Sequence, residues 1–261
     1  MTLKRIVLIS FLLLIPFSAH SQQAVIQNPQ AMALATQALA ALAGSTQVSD
    51  ITLTGTATRT AGPDIESGTV VLKALGGPYS RMDLTLSTGS RHEVRNLSSN
   101  SAPQGYWIGP DTSSYPFSAH NCETDAAWFA PVLSVLSQLS NPNLVVSYVG
   151  QETRDGVAVQ HLHFAIQSSS SDPTGILQGL GAEDVYLNAS TFLPVALTFN
   201  AHPDNDATTN LAVEIDYASY QSVSGVLVPF QIQTLINNSL VLNLTINSAA
   251  INQGLTPADF S

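Results

Sequence analysis

The chain has 261 residues, a formal net charge of −10 and only 10% charged residues. Nucleic acids and anionic membrane surfaces would repel such a chain, so the composition argues against both as electrostatic partners. Cys122 is the only cysteine, which excludes an internal disulfide and leaves the fold to be held by its core. Because Glu123 and Asp125 nearby would raise the pKa of a thiol, we interpret Cys122 as a buried or tolerated residue, not a nucleophile.

The first residues are typical of a secretory signal peptide. Two basic residues, Lys4 and Arg5, precede a short apolar run, and small residues precede a cleavage point after Ser21. We predict a signal peptide over residues 1–21 and one domain over residues 22–261. No later run reaches the roughly 18 apolar residues of a membrane span, so no stable membrane insertion is predicted.

Residues 28–43 are predicted to form a helix. Asn28 is a good N-cap, Pro29 suits the first helical position and Gly44 can end the helix. From Ile51 the apolar period changes to two, with short turns between segments as far as residue 109. This pattern predicts a meander of antiparallel strands.

A second helix is predicted over residues 125–139. Trp128, Val132 and Leu136 fall on one apolar stripe at helical spacing. Pro131 would clash with a preceding carbonyl, so we expect a kink or break there, with the better helix beginning at Pro131.

The remaining chain again reads as strands. They are predicted over residues 144–153, 156–167, 183–189, 193–200, 208–221, 225–236 and 239–251. In the last four, apolar residues alternate with polar ones, which indicates a sheet with one continuous apolar face.

These elements predict a mainly β protein. A single antiparallel sheet of about ten or eleven strands should curl into an incomplete β-barrel with its apolar face inside, plugged by two or three short helices. The apolar face either forms a packed core or leaves a cavity for an acyl chain, and the side-chain pattern alone does not separate these alternatives.

The segment "SGVLVPFQIQT" carries Pro229 within a predicted strand. Proline cannot donate a ladder hydrogen bond, so we expect Pro229 where the partner strand is absent or bulged. Val226, Val228 and Phe230 are then expected to point into the barrel.

Signals for catalysis are weak. His161 and His163 lie two apart on one strand face, a spacing that some metal sites use, but no further ligand follows with metal-site spacing. A hydrolase would require these histidines and a carboxylate to lie within about 3 Å of a shared point. Glu214 and Asp216 share a face expected to be in water. We predict no enzyme, no metal and no cofactor.

Four segments in order carry a family resemblance: "QGYWIG", "VYLNASTFLPVALTF", "YASYQSVSGVLVPFQI" and "INSAAINQGLTPADF". Over residues 28–261 the chain resembles the bacterial outer-membrane lipoprotein carrier family (LolA-like) and its superfamily of exported lipid-binding half-barrels. The resemblance implies an eleven-stranded incomplete barrel, closed by lid helices, that holds acyl chains in the periplasm of a Gram-negative bacterium. Family members have a basic residue in the turn after the second long strand that pins the lid, whereas this chain has Lys73 before the turn and Gly76 and Gly77 within it.

The resemblance also implies a set of cavity-lining and lid residues. Those of the lid would be Trp128, Val132 and Leu136. Those of the interior would be Met82, Leu84, Leu86, Val195, Leu197, Phe199, Val213, Ile215, Val228, Phe230, Leu242 and Leu244.

Two functional hypotheses follow. In the first, the protein is a monomeric carrier or binding protein for an acylated ligand, either a lipid or a lipoprotein. In the second, it is a non-catalytic envelope sensor or protein-interaction module on the same fold, with an envelope protein as its partner.

Overall fold

One antiparallel sheet of thirteen strands dominates the structure, a computed structural model that describes residues 28–167 and 176–261. The predicted signal peptide lies outside the described residues. The strands are β1 (Asp50–Ala61), β2 (Asp64–Leu75), β3 (Tyr79–Leu86), β4 (Gly89–Leu97), β5 (Pro103–Ile108), β6 (Ser114–Pro116), β7 (Leu144–Arg154), β8 (Val157–Ile166), β9 (Glu183–Asn188), β10 (Pro194–Ala201), β11 (Leu211–Val223), β12 (Val226–Ile236) and β13 (Ser239–Ile251). The helices are α1 (Pro29–Ala43), α2 (Ile176–Leu180) and three 3₁₀ turns, Ala119–Cys122, Val135–Gln138 and Pro257–Phe260.

The sheet is made of two meanders joined in the middle. Its order is β6-β5-β4-β3-β2-β1-β13-β12-β11-β10-β9-β8-β7, so β1 pairs with β13 and the edges are β6 and β7. These two edges do not pair with each other, and the predicted incomplete β-barrel is confirmed. The strand count is thirteen instead of ten or eleven, partly because β6 has only three residues and therefore no readable alternation.

The middle of the sheet splays where Pro229 lies. β13 pairs with β12 through residues 239–245 and with β1 through residues 242–251. The first half of β12, including Pro229, is therefore paired with β11 alone, where Pro229 lies opposite Tyr220. A strand can accept proline at such a place because no ladder donor is missed, as the sequence predicted.

Helix α1 covers this splayed region. Asn28 caps it by accepting a hydrogen bond from the Ala31 amide (3.0 Å), and Gly44 ends it, both as predicted. Its small buried residues pack against β12 and β7, two strands from opposite parts of the sheet. A helix with alanines on its buried face can approach the sheet closely, so α1 fills the gap between strands that do not pair.

The prediction of a helix over residues 125–139 is wrong. The chain crosses from one sheet edge to the other through residues 117–143, here called the crossing segment, and forms only turns and the short 3₁₀ turns. Its backbone is held by tight turns, for example Ala130 N to Ala127 O and Leu133 N to Ala130 O, both 2.8 Å. Pro131 interrupts a helical ladder as expected, but burial of residues 124–136 produces an apolar stripe without a helix.

The chain end closes the outside of the other meander. Asp50 is buried and accepts hydrogen bonds from the amides of Gln253 (2.7 Å) and Gly254 (3.1 Å), directly after β13. The final 3₁₀ turn then reaches β3 and β4, where Phe260 is fully buried next to Tyr79, with ring centroids 5.7 Å apart.

Candidate ligand-binding site

A cavity of about 620 Å³, here called the inner cavity, lies on the concave side of the sheet beside the crossing segment. Its walls come from both meanders and from the crossing segment: Arg59, Thr60, Ala61, Met82, Leu84, Glu93, Arg95, Trp107, Phe117, Asn121, Thr124, Trp128, Phe199, Ala201, Asp204, Val213, Ile215, Thr234, Ile236, Val241 and Leu242. Most of these side chains are apolar, and the volume is within the range of about 300–1,000 Å³ usual for ligand sites.

The predicted lining and lid residues divide according to whether they lie at the inner cavity, in the packed core or elsewhere. Seven line the inner cavity: Met82, Leu84, Trp128, Phe199, Val213, Ile215 and Leu242. Six lie in the packed core: Leu86, Val132, Leu136, Leu197, Val228 and Leu244. Phe230 is half-buried against that core. The apolar face of the sheet therefore forms both a core and a cavity, where the pattern had left the two as alternatives.

Val195 lies apart from the other predicted lining residues. It packs against a small separate cluster formed by Val159, Tyr186 and Ala196. The pairing of β10 with β9 shifts register between Pro194 and Ala196, which changes the face that Val195 presents. Simple alternation along β10 does not anticipate this irregularity.

Trp128 anchors the crossing segment over the inner cavity. Its carbonyl accepts a hydrogen bond from the Tyr217 hydroxyl, and its ring meets Phe129 edge to face at 5.4 Å. The Trp128 side chain is 8% exposed. The lid role that the resemblance implied for Trp128 remains a prediction, but this residue does form part of the cavity wall.

A second cavity, of about 670 Å³ and here called the seam cavity, lies where the crossing segment passes between the two meanders. It is lined by Gly77 and Pro78 from the β2–β3 turn, by the β4–β5 turn, by the crossing segment and by β7, β8 and β9. Cys122, half-buried Gln138 and buried Phe164 also contribute. Burial raises the pKa of the Cys122 thiol, in agreement with its interpretation as unreactive.

Arg95 and Thr124 line both cavities and separate them. Arg95, on β4, is buried and donates hydrogen bonds to the carbonyls of Asn121 and Asp125 (3.3 Å to the latter) and to the Thr124 hydroxyl (3.3 Å). Lys73, in contrast, lies beside Asp259 of the chain end. The basic residue that holds the crossing segment is therefore Arg95.

Two buried carboxyl groups, those of Asp125 and Glu183, lie next to the hydrogen bonds that Arg95 makes with the crossing segment. Asp125 accepts hydrogen bonds from the amides of Ala127 (3.1 Å) and Val135 (2.7 Å), and its own amide donates to Glu183 Oε1 at 2.5 Å. Burial raises the pKa of Asp125 to about 6. Burial and the neighbouring Asp125 carboxylate raise the pKa of Glu183 well above its usual range.

Several polar wall residues of the inner cavity were missed by sequence reasoning. Glu93 lies opposite Met82 in the β3–β4 pair, and Thr234 lies opposite both Ile215 and Leu242. All of these face the same cavity. The alternation around Glu93 and Arg95 in "RHEVRNL" could have revealed them, but polar residues were expected to point outward.

His161 and His163 do converge on a carboxylate. His161 Nε2 and His163 Nδ1 each lie 2.9 Å from Asp184 Oδ1. The hydrogen bond with Asp184 raises the pKa of His163. Within residues 28–167 and 176–261, no serine, threonine or cysteine hydrogen-bonds to either ring, and no group of three or more His, Cys, Asp or Glu side chains is placed to hold a metal. The cluster also contributes to neither cavity, and we assign it no catalytic role.

The described part of the chain contains no helix of sufficient length and apolarity to span a membrane. No protein family model matches the sequence, and no curated protein matches it either.

Solved structures do match the fold. An outer membrane lipoprotein-sorting protein domain from Vibrio parahaemolyticus is 12% identical, with a TM-score of 0.56 over 89% of this chain and 96% of that one. A DUF1329 family protein from Desulfovibrio piger is 10% identical, with the same TM-score and coverage. The chain therefore has the same fold as these two solved structures.

Proposed function

We propose that the protein is a carrier that holds an acyl chain or another apolar ligand in the inner cavity. The observation that supports this most directly is a cavity of about 620 Å³ with mostly apolar walls, built from both halves of the sheet. A chain that only needed a core would gain stability by filling this space, because buried apolar contacts stabilise a fold and cavities cost stability. The similarity of the fold to a lipoprotein-sorting domain supports the same proposal.

We further propose that the carrier is exported and acts as a monomer in the periplasm, without stable membrane insertion and without nucleic acid. Residues 22–261 would form the single mature domain. Its ligand would be a lipid or lipoprotein, and an envelope protein could deliver or receive it. When the full-length chain is produced in a Gram-negative host, we expect the periplasmic protein to begin at Gln22, as measured by intact-mass spectrometry. Retention of residues 1–21 would contradict the signal peptide.

Filling the inner cavity should prevent ligand uptake. Val213 is 7% exposed, lies on the cavity wall and pairs with Phe199 and Ile236 across neighbouring strands. In Val213→Trp the larger side chain would occupy space needed by the ligand. We expect lipid that co-purifies with the mature protein, quantified by extraction and native mass spectrometry, to fall by about tenfold, as loss of one good apolar contact region implies.

The matched control is Val149→Trp, the same substitution at a 58% exposed position. It should leave the lipid content unchanged. Wild-type protein that carries no lipid and binds no apolar probe would contradict the carrier and favour the sensor or interaction module, which would instead capture a specific protein. Equal lipid in Val213→Trp and wild type would show that the ligand binds elsewhere.

A further inference from the structure

Two polar groups face the inner cavity without a partner from the protein. The Thr234 hydroxyl oxygen is buried and has no hydrogen bond within the described residues. The Glu93 carboxylate, on the opposite meander, also receives no hydrogen bond from any residue that the structure describes, although Arg95 lies near enough to affect its charge. Buried polar groups in folded proteins are normally paired, so the Thr234 hydroxyl is placed to meet a ligand, and the half-buried Glu93 carboxylate lines the same cavity.

The positive groups of the same walls are already engaged. Arg59 donates to Glu66 at 3.3 Å, and Arg95 donates to carbonyls and a hydroxyl of the crossing segment. Asp204, the other acidic residue of the walls, accepts a hydrogen bond from the Ser118 hydroxyl at 3.0 Å. An incoming anion would thus find acidic side chains and no uncommitted cation among the charged wall residues.

These contacts decide which head group fits. A free carboxylate would be desolvated beside Glu93, and the positive charge of Arg95 already acts on Glu93, so no further cation of these walls is left to compensate the ligand. A neutral head group with a hydroxyl or amide N–H would lose less hydration and could donate to both unpaired oxygens.

We propose that the inner cavity binds a neutral acyl lipid whose head group donates hydrogen bonds to Glu93 and Thr234, and that it discriminates against free fatty acids. This inference rests on the proposed function, since it assumes that the acyl chain occupies this cavity. Burial raises the pKa of Glu93, and the nearby Arg95 only partly offsets that effect. The required chemistry, an acyl chain with a neutral donor, occurs both in acylglycerols and in the acylated end of a lipoprotein.

Displacement of a neutral fluorescent probe tests the proposal. N-phenyl-1-naphthylamine would be bound to the mature protein at a pH of about 8, where palmitate is ionised. Competition by 1-palmitoylglycerol, by an N-palmitoylated peptide amide and by palmitate would then be compared. We expect both neutral ligands to bind at least about tenfold more tightly than palmitate. Whichever of the two neutral ligands binds more tightly indicates whether an acylglycerol or the acylated end of a lipoprotein is the natural ligand.

Two variants locate the discrimination. Glu93→Gln should strengthen palmitate binding and reduce the preference to within about threefold, because the repelling charge is gone. Thr234→Val, of similar shape, should weaken both neutral ligands about threefold or more and leave the probe unchanged. Glu123→Gln, at an exposed position outside the inner cavity, is the charge-matched control and should preserve the preference.

The outcomes separate the two proposals. If the probe binds but palmitate competes as well as the neutral ligands, the inference is overturned and the carrier proposal stands. If neither the probe nor any lipid binds, both fall. If the preference is present but unchanged in Glu93→Gln and Thr234→Val, with both variants folded by circular dichroism, it does not arise from these residues and the assignment is overturned.

Discussion

Glu183→Gln is expected to become increasingly more stable than the wild-type protein as the pH rises from about 4 to about 8. Glu183 is 3% exposed, accepts the Asp125 amide on Oε1 and has no partner for Oε2 within the described residues. Glutamine keeps an acceptor for the Asp125 amide and removes the titrating group. The change therefore isolates the cost of ionising this carboxyl.

The direction follows from the raised pKa values of both acids. An acid whose pKa is higher in the folded than in the unfolded state contributes stability that is fully present below the unfolded pKa and is lost as pH rises through the folded pKa. For Asp125 this window runs from 3.8 to about 6, which corresponds to about 3 kcal/mol. Burial and Asp125 raise the pKa of Glu183 well above its usual range. The contribution of Glu183 to folding stability is therefore lost over a window that extends to higher pH.

Urea unfolding at a series of pH values measures this effect. The two proteins should be similarly stable near pH 4, and the variant should become the more stable one as the pH rises. Other groups with raised pKa, such as Glu93 and His163, are present in both proteins and cancel in the difference. Asp64→Asn, at an exposed position at the start of β2, should reproduce the wild-type curve. Parallel curves for Glu183→Gln and wild type would show that Glu183 does not hold a raised pKa.

The strands of the sheet were predictable because the pattern that defines each strand lies within a short stretch of sequence. In β11, β12 and β13 apolar side chains recur at every second residue, and that alternation assigns both the strands and their buried face. The cap of α1 at Asn28 is equally local, since it depends on a side chain three residues from the amide that it accepts from. Such features need no knowledge of distant contacts.

The conformation of the crossing segment and the inward orientation of the polar cavity walls were not predictable, because both depend on contacts between residues far apart in the sequence. Burial on all sides gives residues 124–136 an apolar character that resembles a helix stripe, while the turns are fixed by Asp125. Glu93 and Arg95 face inward because β4 pairs with β3 in a register that the sequence does not show. Seven apolar wall residues were therefore predicted, whereas the polar wall residues, and apolar ones such as Trp107 and Phe117, were missed.

Arg95→Met is expected to destabilise the protein by about 3–5 kcal/mol and to loosen the crossing segment. The guanidinium binds the carbonyls of Asn121 and Asp125 and the Thr124 hydroxyl, and hydrogen bonds from a charged donor contribute about 1.5–3 kcal/mol each. Methionine would fill much of the same space, but it would leave those acceptors unpaired.

The same substitution should also act on the neighbouring acids and on the two cavities. Arg95 lowers the pKa of both Asp125 and Glu183, so its removal favours their protonated forms further. Because Arg95 and Thr124 form the partition between the inner and seam cavities, its loss should join them. Hydrogen exchange should then accelerate in residues 117–143 before it does so in β11 to β13, where strand pairing is unchanged.

Arg81→Met is the matched control for Arg95→Met. Arg81 pairs with Asp83 at 2.9 Å, but both side chains are about one-quarter exposed, and such pairs contribute at most about 1 kcal/mol. If urea unfolding shows equal effects for the two variants, Arg95 does not hold the crossing segment. If Arg95→Met is strongly destabilised but exchange accelerates uniformly, the arginine stabilises the whole sheet, and the crossing segment has no separate freedom to open.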